Sequence, residues 1–263
     1  ASLPLNGRNF VGLSLLTAGA VEDRTPQQGV SRNSGVSFHG QRARSNSIMI
    51  DGLDDNGMAT GSIRGILSQE AIQEFQVFPA AYSAEFGQAS GGTINIVTAG
   101  GTNRLSGKAF VFGRSSALNA REYFERFDSA GNPLHSAKAP FHQAQGGATV
   151  GGPLPGGRTF FFASYEGRDA APSKFVTIDP TTTALLNSKG WPVAAGHVAF
   201  QDDAHQVLAK VQHQWDEGDN LTLRANYSNN TNENIEDWGG LVARSAGIVG
   251  SWAIVFTARA RSV

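Results

Sequence analysis

The sequence predicts two parts in tandem: a small mixed sheet with short helices over about the first hundred residues, then a series of long antiparallel strands. Two observations carry this. Up to Thr98, short apolar runs ("SIMI", "EFQVF", "TINIVT") alternate with helix-compatible stretches. From Gly107 on, longer runs place apolar and polar residues alternately, the period of a strand with two unlike faces. Glycine, at 32 of 263 residues with no collagen period, fits the same picture, since many tight turns and closely approached strands need it.

Composition excludes several classes of function. The formal net charge is −1 with the signs interspersed, so no basic field exists to attract nucleic acid, and no nucleic-acid partner is expected. There is no cysteine, which removes disulfides, thiolate zinc sites, iron–sulfur clusters and cysteine nucleophiles together. No run of 18 or more apolar residues is present, so no transmembrane helix is expected, and the start "ASLPLNGRNF" lacks the regions of a signal peptide. A membrane-crossing β-strand needs only about 10 residues of alternating polarity, and this limit does not touch it.

Taken in order, "RNFVGLSLLTAGAV" places Phe10, Leu13 and Leu16 at helical spacing, with Asn9 to cap and Gly19 to stop, which predicts a short helix. Residues 22–35 are polar turn formers and predict a loop. Gly61 to Gln73 and Ala80 to Gly87 are compatible with helix. Strands are predicted at 107–114, 142–152, 158–169, 204–218 and 220–230, the last two joined by the short acidic turn "DEGDN". In the fourth of these, Val207, Ala209, Val211, His213 and Trp215 share one face and Gln206, Lys210, Gln212 and Gln214 the other. In the fifth, Leu221, Leu223, Ala225 and Tyr227 alternate with Thr222, Arg224, Asn226 and Ser228.

The intervals 115–141 and 178–203 are predicted as long loops. Short turns at one end, long loops at the other and aromatics near strand ends describe an outer-membrane barrel. A soluble antiparallel sheet produces the same alternation, so the pattern alone leaves both open.

The segment "AIQEFQVFPAAYSAEFGQASGGTINIVTAGGTN" separates them. It resembles the closing part of the plug domain of TonB-dependent outer-membrane receptors. Ile72, Phe75 and Val77 stand in the strand; Glu85, Phe86 and Gly87 hold a Tyr-Gly position with Phe for Tyr; Gly91, Gly92, Ile94, Asn95, Ile96 and Thr98 complete the pattern. Further pieces resemble the Oar-like branch of that family, in matching order from residue 3 to about 245: "LPLNGRNF", "GQRARSNSIMIDGLDDN", "GKAFVFGRSSALNAREYF" and "GGPLPGGRTFFFASYEGRD".

The resemblance implies an α+β plug over residues 1–104 and the amino-terminal strands of a transmembrane β-barrel over 105–263. A barrel of this class has about 22 strands, so the chain is expected to be a fragment. The signal peptide, the carboxypeptidase-regulatory-like domain and the TonB box are expected upstream. The end, "AGIVGSWAIVFTARARSV", fits the family pattern poorly and suggests a truncation or an altered frame.

The acidic stretch "DGLDDNG" fails as a calcium loop, because with Asp51 first the third position is Leu53, and with Gly57 sixth the first is Gly52. In the resembling family the Ile-Asp-Gly triplet ends a plug strand, and Asp and Gly are turn formers. Asp54, Asp55 and Asn56 remain substrate-contact candidates, while Asp51, Gly52, Glu85, Gly87, Gly91, Gly92 and Asn95 are assigned to the plug's structural motif.

"GPLPGGRT" approaches a phosphate loop, but Pro153 and Pro155 remove two amides and a strand follows, so a tight hairpin is expected. His205 and His213 share a strand face about 26 Å apart at ~3.3 Å per residue and cannot share an ion. Neither a catalytic residue nor a metal or cofactor is expected, and no serine sits on a nucleophile elbow.

By resemblance the chain is part of a non-enzymatic importer of the Gram-negative outer membrane, with outer-membrane lipid around it, a TonB-type periplasmic coupling protein as partner and an unknown extracellular substrate. The rival readings are a structural or adhesive protein of the same architecture without transport, and a soluble β-rich enzyme or binding module.

Overall fold

Two sheets organise the described residues, and the smaller packs against the inner face of the larger. The computed structural model describes residues 10–22, 35–57, 66–80, 82–83, 86, 89–121, 126, 138–176, 178–191, 193, 196–215, 219–233 and 249–261.

The first unit begins with a 3-10 helix, Phe10–Leu16, followed by a ribbon of β1 (Ala20–Glu22) and β2 (Val36–Phe38). The expected α-helix is thus a tighter 3-10 turn. Seven residues interrupted by Gly12 offer too few hydrogen bonds to offset helix nucleation. Its predicted cap, Asn9, and most of the loop predicted at 22–35 lie outside the described residues.

A four-stranded mixed sheet follows, in the order β4-β3-β6-β5, made of β3 (Ser47–Ile50), β4 (Leu53–Asp54), β5 (Ile72–Phe78) and β6 (Thr93–Thr98). Strands β3 and β6 run parallel, while β4 and β5 are antiparallel to their neighbours. Helix was expected up to Gln73, but residues 66–73 form a 3-10 turn at Gln69–Ala71 that leads into β5. The alternation of Phe75 and Val77 with polar residues, satisfied by pairing with β6, outweighs the helix-compatible composition. Residues 61–65 and much of 80–87 lie outside the described residues.

The large sheet is antiparallel, in the order β14-β13-β12-β9-β8-β7. It comprises β7 (Ser106–Ser115), β8 (His142–Pro153), β9 (Thr159–Ala171), β12 (Gln201–Gln214), β13 (Asn220–Glu233) and β14 (Val249–Arg261). The atypical end of the sequence therefore supplies a full strand, paired with β13 from Asn220↔Arg261 to Asn232↔Val249. Among the described strands the wall is open, with β7 and β14 at its edges.

The region 178–203, expected as loop, is more ordered than that. Strands β10 (Ser173–Val176) and β11 (Gly196–Ala199) pair beyond the ends of β9 and β12 and frame helix α1 (Pro180–Ser188). The helix is fully capped. Asp179 accepts from the Thr182 backbone N–H, a bond that holds its carboxyl below the usual range, and Pro180 takes the first helical position. At the other end Gly190, at φ 84°, lets its own N–H and that of Trp191 turn back to the carbonyls of Asn187 and Leu186. The capping signals Asp-Pro and Gly were present in the sequence.

The two faces of the wall are inverted relative to a soluble sheet. Phe162, Ser164, Glu166, Leu208, Lys210, Arg224 and Asn226 are buried, whereas Tyr165, Val207, Val211, Leu223 and Tyr227 on the alternate positions are 39–48% exposed. The mostly polar face looks inward at the mixed sheet and the apolar face looks out. Phe162 and Leu208 are the apolar exceptions, and they join one core with Phe38, Ile48, Ile50, Ile94 and Ile96 of the smaller unit.

The strands turn tightly at one end: Leu154 N–H donates to the Thr159 carbonyl (2.7 Å) and Trp215 N–H to that of Asp219 (3.0 Å). "GPLPGGRT" is accordingly a hairpin between two strands, with Gly156 and Gly157 at φ 103° and 69°. The connections at the opposite end are all long.

Candidate functional site

The residues that bring the two sheets together start from a two-residue turn. Ile50 pairs with Leu53, so Asp51 and Gly52 alone reverse the chain, with φ of 52° and 79°. Positive φ at both positions defines the type I′ turn that Asp-Gly favours. The turn aims the Asp51 carboxylate at the end of β6 and at the wall. Its Oδ1 accepts from Thr98 N–H (2.8 Å), and its Oδ2 accepts from the Thr98 hydroxyl (2.7 Å) and from Arg224 Nη1 (2.8 Å).

Lys210 Nζ lies 3.7 Å from Oδ1 and donates to the Thr98 carbonyl and hydroxyl at 3.1 and 3.0 Å. Lys210 and Arg224 face each other across β12 and β13. Two like charges directly opposed on a sheet repel, and Asp51 lies between them. All three side chains are buried, at 15% exposed or less.

A second attachment lies at the turn that precedes β5. Ser68 caps the Gln69–Ala71 turn by accepting from Glu70 N–H, and its hydroxyl donates to Glu166 Oε2 on β9 (2.5 Å). Gln145 Nε2 donates to the other oxygen of Glu166, and Gln143 donates to Gln145. Glu70 pairs with Lys108 on β7 (2.6 Å). Higher on the wall, Arg168 Nη2 donates to both oxygens of Asp202, at 3.0 and 3.1 Å.

The structure places the sequence-derived residues as follows. Asn46, unnoticed in the sequence, accepts from Gly92 N–H (3.0 Å) and donates to the Val36 carbonyl, joining β2 to the start of β6. Gly91 and Gly92, assigned to the structural motif, do not take positive φ. Space is what requires them: a Cβ on Gly91 would enter the Asn46 side chain, and one on Gly92 the Phe38 ring. Gly92→Val is therefore expected to destabilise the plug by about 1–3 kcal/mol through overpacking, read by thermal unfolding. Gly113→Ala, which meets open space, should change little; equal melting of the two variants would refute the packing account.

Asn95 donates to Gln76 across β5 and β6 (3.3 Å). Phe86 stacks on Phe78 at 5.3 Å, while Glu85 and Gly87 lie outside the described residues.

Of the substrate-contact candidates, Asp55 is buried at 2% exposure with its N–H on the Ile48 carbonyl, and Asn56 accepts from Ile48 N–H. Both hold β4 to β3. Asp54 is exposed, and its Oδ1 accepts from the Asn56 backbone N–H (3.2 Å). No group of three or more metal-ligating side chains occurs among the described residues.

The linker to the wall is equally tight. A Cβ on Gly101 would strike the backbone carbonyls of Phe161 and Gly152. Gly101→Val should therefore disturb the join between the sheets, seen as faster proteolysis after Arg104 in the folded receptor. An unchanged cleavage rate would show that the linker has room.

On the outer face, the outward-facing apolar residues form rows across the strands: Tyr165, Val207 and Tyr227 in one, the half-buried Phe161 with Val211 and Leu223 in another. From Val207 to Trp215 the strand rises about 26 Å at ~3.3 Å per residue, or about 20 Å along the normal at a tilt of about 40°. Tyr165 and Tyr227 border the band at one edge and Trp215 at the other, the positions of interfacial aromatics. Tyr165 also stacks on His205, where the face turns polar.

Comparison with known proteins agrees with this geometry. Residues 97–188 match the family described as "Outer membrane beta barrel domain". The TonB-dependent transporter Oar of Myxococcus xanthus is 30% identical over 158 residues, which are 60% of this chain and 14% of that protein. The chain thus spans a small part of this relative's length.

Among solved structures, the outer membrane transporter YddB from Escherichia coli superposes with a TM-score of 0.65 at 14% identity, over 88% of this chain and 32% of that one. A mutant of the ferric enterobactin receptor PfeA from Pseudomonas aeruginosa gives 0.67 at 11% identity, over 98% and 36%. The siderophore receptor PirA from Acinetobacter baumannii gives 0.57 at 19% identity, over 88% and 30%. These relatives are named as transporters and receptors. Its inverted strands, its inward-packed mixed sheet and these likenesses together give the chain the fold of part of a TonB-dependent outer-membrane transporter or receptor, the proteins it is similar to.

Proposed function

We propose that the receptor containing this chain imports a substrate across the outer membrane, with residues 1–104 as a movable plug and 105–263 as the adjoining wall. A periplasmic TonB-type coupling protein supplies the energy by pulling on the plug. The observation that carries this reading is the polar seam between plug and wall, at Asp51, Thr98, Lys210 and Arg224 and at Ser68 and Glu166. Ion pairs and hydrogen bonds are directional and can be exchanged for water as a plug shifts. A structural barrel with a permanent stopper has no need of such contacts.

The experiment is deletion of the whole gene followed by growth on candidate substrates, with and without an active coupling protein. Loss of growth that depends on both genes supports transport. Wild-type growth on every substrate together with loss of surface attachment would favour the adhesive reading. The short turns face the periplasm and the long connections, including α1, face outward. On that polarity Asp54 lies on the plug, and its contact with substrate would show as weaker substrate binding in Asp54→Ala.

A further inference from the structure

Four side chains form one hydrogen-bonded line from the outer part of the wall to the plug. Gln143 donates through Nε2 to Gln145 Oε1 (3.1 Å), Gln145 donates through Nε2 to Glu166 Oε1, and Ser68 donates to Glu166 Oε2. In the wall register Gln145 lies opposite Arg168, and Gln143 lies one strand removed from Asp202 through Ala170. The line therefore climbs two inward rows above Glu166, toward the end with the long connections, and ends beside the Arg168–Asp202 pair. All four members are buried, at 3–9% exposure. Both amides point their donors the same way, toward the carboxylate, so each bond polarises the next.

Glu166 is the sensitive point. Its carboxylate is 4% exposed and pairs with no cation among the described residues; Ser68 and Gln145 are the donors that hold its two oxygens. A buried carboxylate is costly unless well supplied with donors, so the loss of one donor changes its hold on the other. At the plug end, Ser68 caps the turn from which β5 starts, and the same turn is tied to β7 through Glu70 and Lys108. Gln145 is thus linked to β5 only through Glu166 along this line.

We propose that Gln143–Gln145–Glu166–Ser68 is a ligand-sensing relay. A hydrogen-bonding ligand above the plug that engages Gln143, the least buried member at 9% exposure, draws Gln145 away from Glu166, and Glu166 then loosens its hold on Ser68 and on the start of β5. This rests on the transport reading, since it assigns the chamber above the plug to a ligand. Gln145 acts as a positioning residue in the relay.

The test is hydrogen exchange of the Gln69–Phe78 segment in the intact receptor without any ligand, comparing wild type, Ser68→Ala, Gln145→Leu and the double variant. Heat-modifiable migration on gels checks that each barrel is folded, and Gln143→Leu serves as a milder second variant. Losing one buried hydrogen bond corresponds to about a fivefold to tenfold rise in exchange. Gln145→Leu should produce such a rise even though it is remote from the segment, and the double variant should add little to either single change.

Unchanged exchange in both Gln145→Leu and Gln143→Leu, with a rise in Ser68→Ala, would overturn the relay and leave Glu166 as a local contact. Fully additive effects would overturn it as well. Because no substrate is present, failure of the transport reading would appear in the growth assay and not here.

Discussion

Asp51→Gly is expected to detach the plug from β12 and β13 and to destabilise its docked state by about 3–5 kcal/mol, the usual cost of removing one partner from a buried ion pair. Glycine is the informative replacement because Asp51 sits at φ 52°, a conformation glycine adopts freely. The turn survives and only the carboxylate is lost. Without it Lys210 and Arg224 are opposed across the sheet with no acid between them, and the Thr98 N–H and hydroxyl lose their acceptor.

Asp51→Ala should be worse again, by about 1 kcal/mol, because a Cβ is strained in the left-handed region. The measurement is denaturant unfolding of the plug within the receptor, together with sensitivity of cells to a bulky antibiotic that a closed receptor excludes. Wild-type stability and wild-type resistance in Asp51→Gly would remove Asp51 from the plug's attachment. A triple change of Asp51, Lys210 and Arg224 to apolar residues of similar size should recover much of the loss, since replacing a whole buried charge cluster is often close to neutral.

That cluster was partly legible in the sequence. The turn "DGL" after "SIMI" pointed to a reversal at Asp51, and the turn "DEGDN" fixed a register that puts Lys210 opposite Arg224. Two cations facing each other on a polar strand face imply an acid from elsewhere, and that step was available before any coordinates. Which acid supplies it was not, because the partner is more than 150 residues away in sequence and reaches the wall only through the parallel pairing of β3 with β6.

Strand positions were legible for the same reason that one inversion was not. Period-two alternation gives the two faces of β12 and β13 without saying which is buried, and only the mixed sheet lying against the polar face decides it. The roles of Gly91 and Gly92 escaped because the bodies they make room for, Asn46 and Phe38, come from distant parts of the chain. The ribbon and helix in 178–203 escaped through the low apolar content of α1, which has no buried side.

The second large effect lies on the opposite face. Ala209→Arg is expected to impair insertion of the receptor into the outer membrane, at a cost of up to about 2–4 kcal/mol, the figure for a cation at the bilayer midplane, because Ala209 lies inside the apolar band. Ala209 stands between the row of Val207 and the row of Val211, flanked in register by Ala163 and Ala225. None of these neighbours offers a carboxylate to a guanidinium, and the nearest polar atoms on that face are the Tyr165 and Tyr227 hydroxyls in the row of Val207, at the edge of the band.

The inward-facing Gln206 is the matched control. It is one strand position beyond Val207 toward the long connections, and its side chain belongs to the polar interior near Glu166, which it opposes in register. Gln206→Arg should therefore insert like wild type, since it brings a cation to a buried carboxylate. Insertion into lipid vesicles, followed by heat-modifiable migration, separates the two. If Ala209→Arg inserted as well as Gln206→Arg, the apolar face would not be the lipid face, and the assignment of inside and outside to these strands would be reversed.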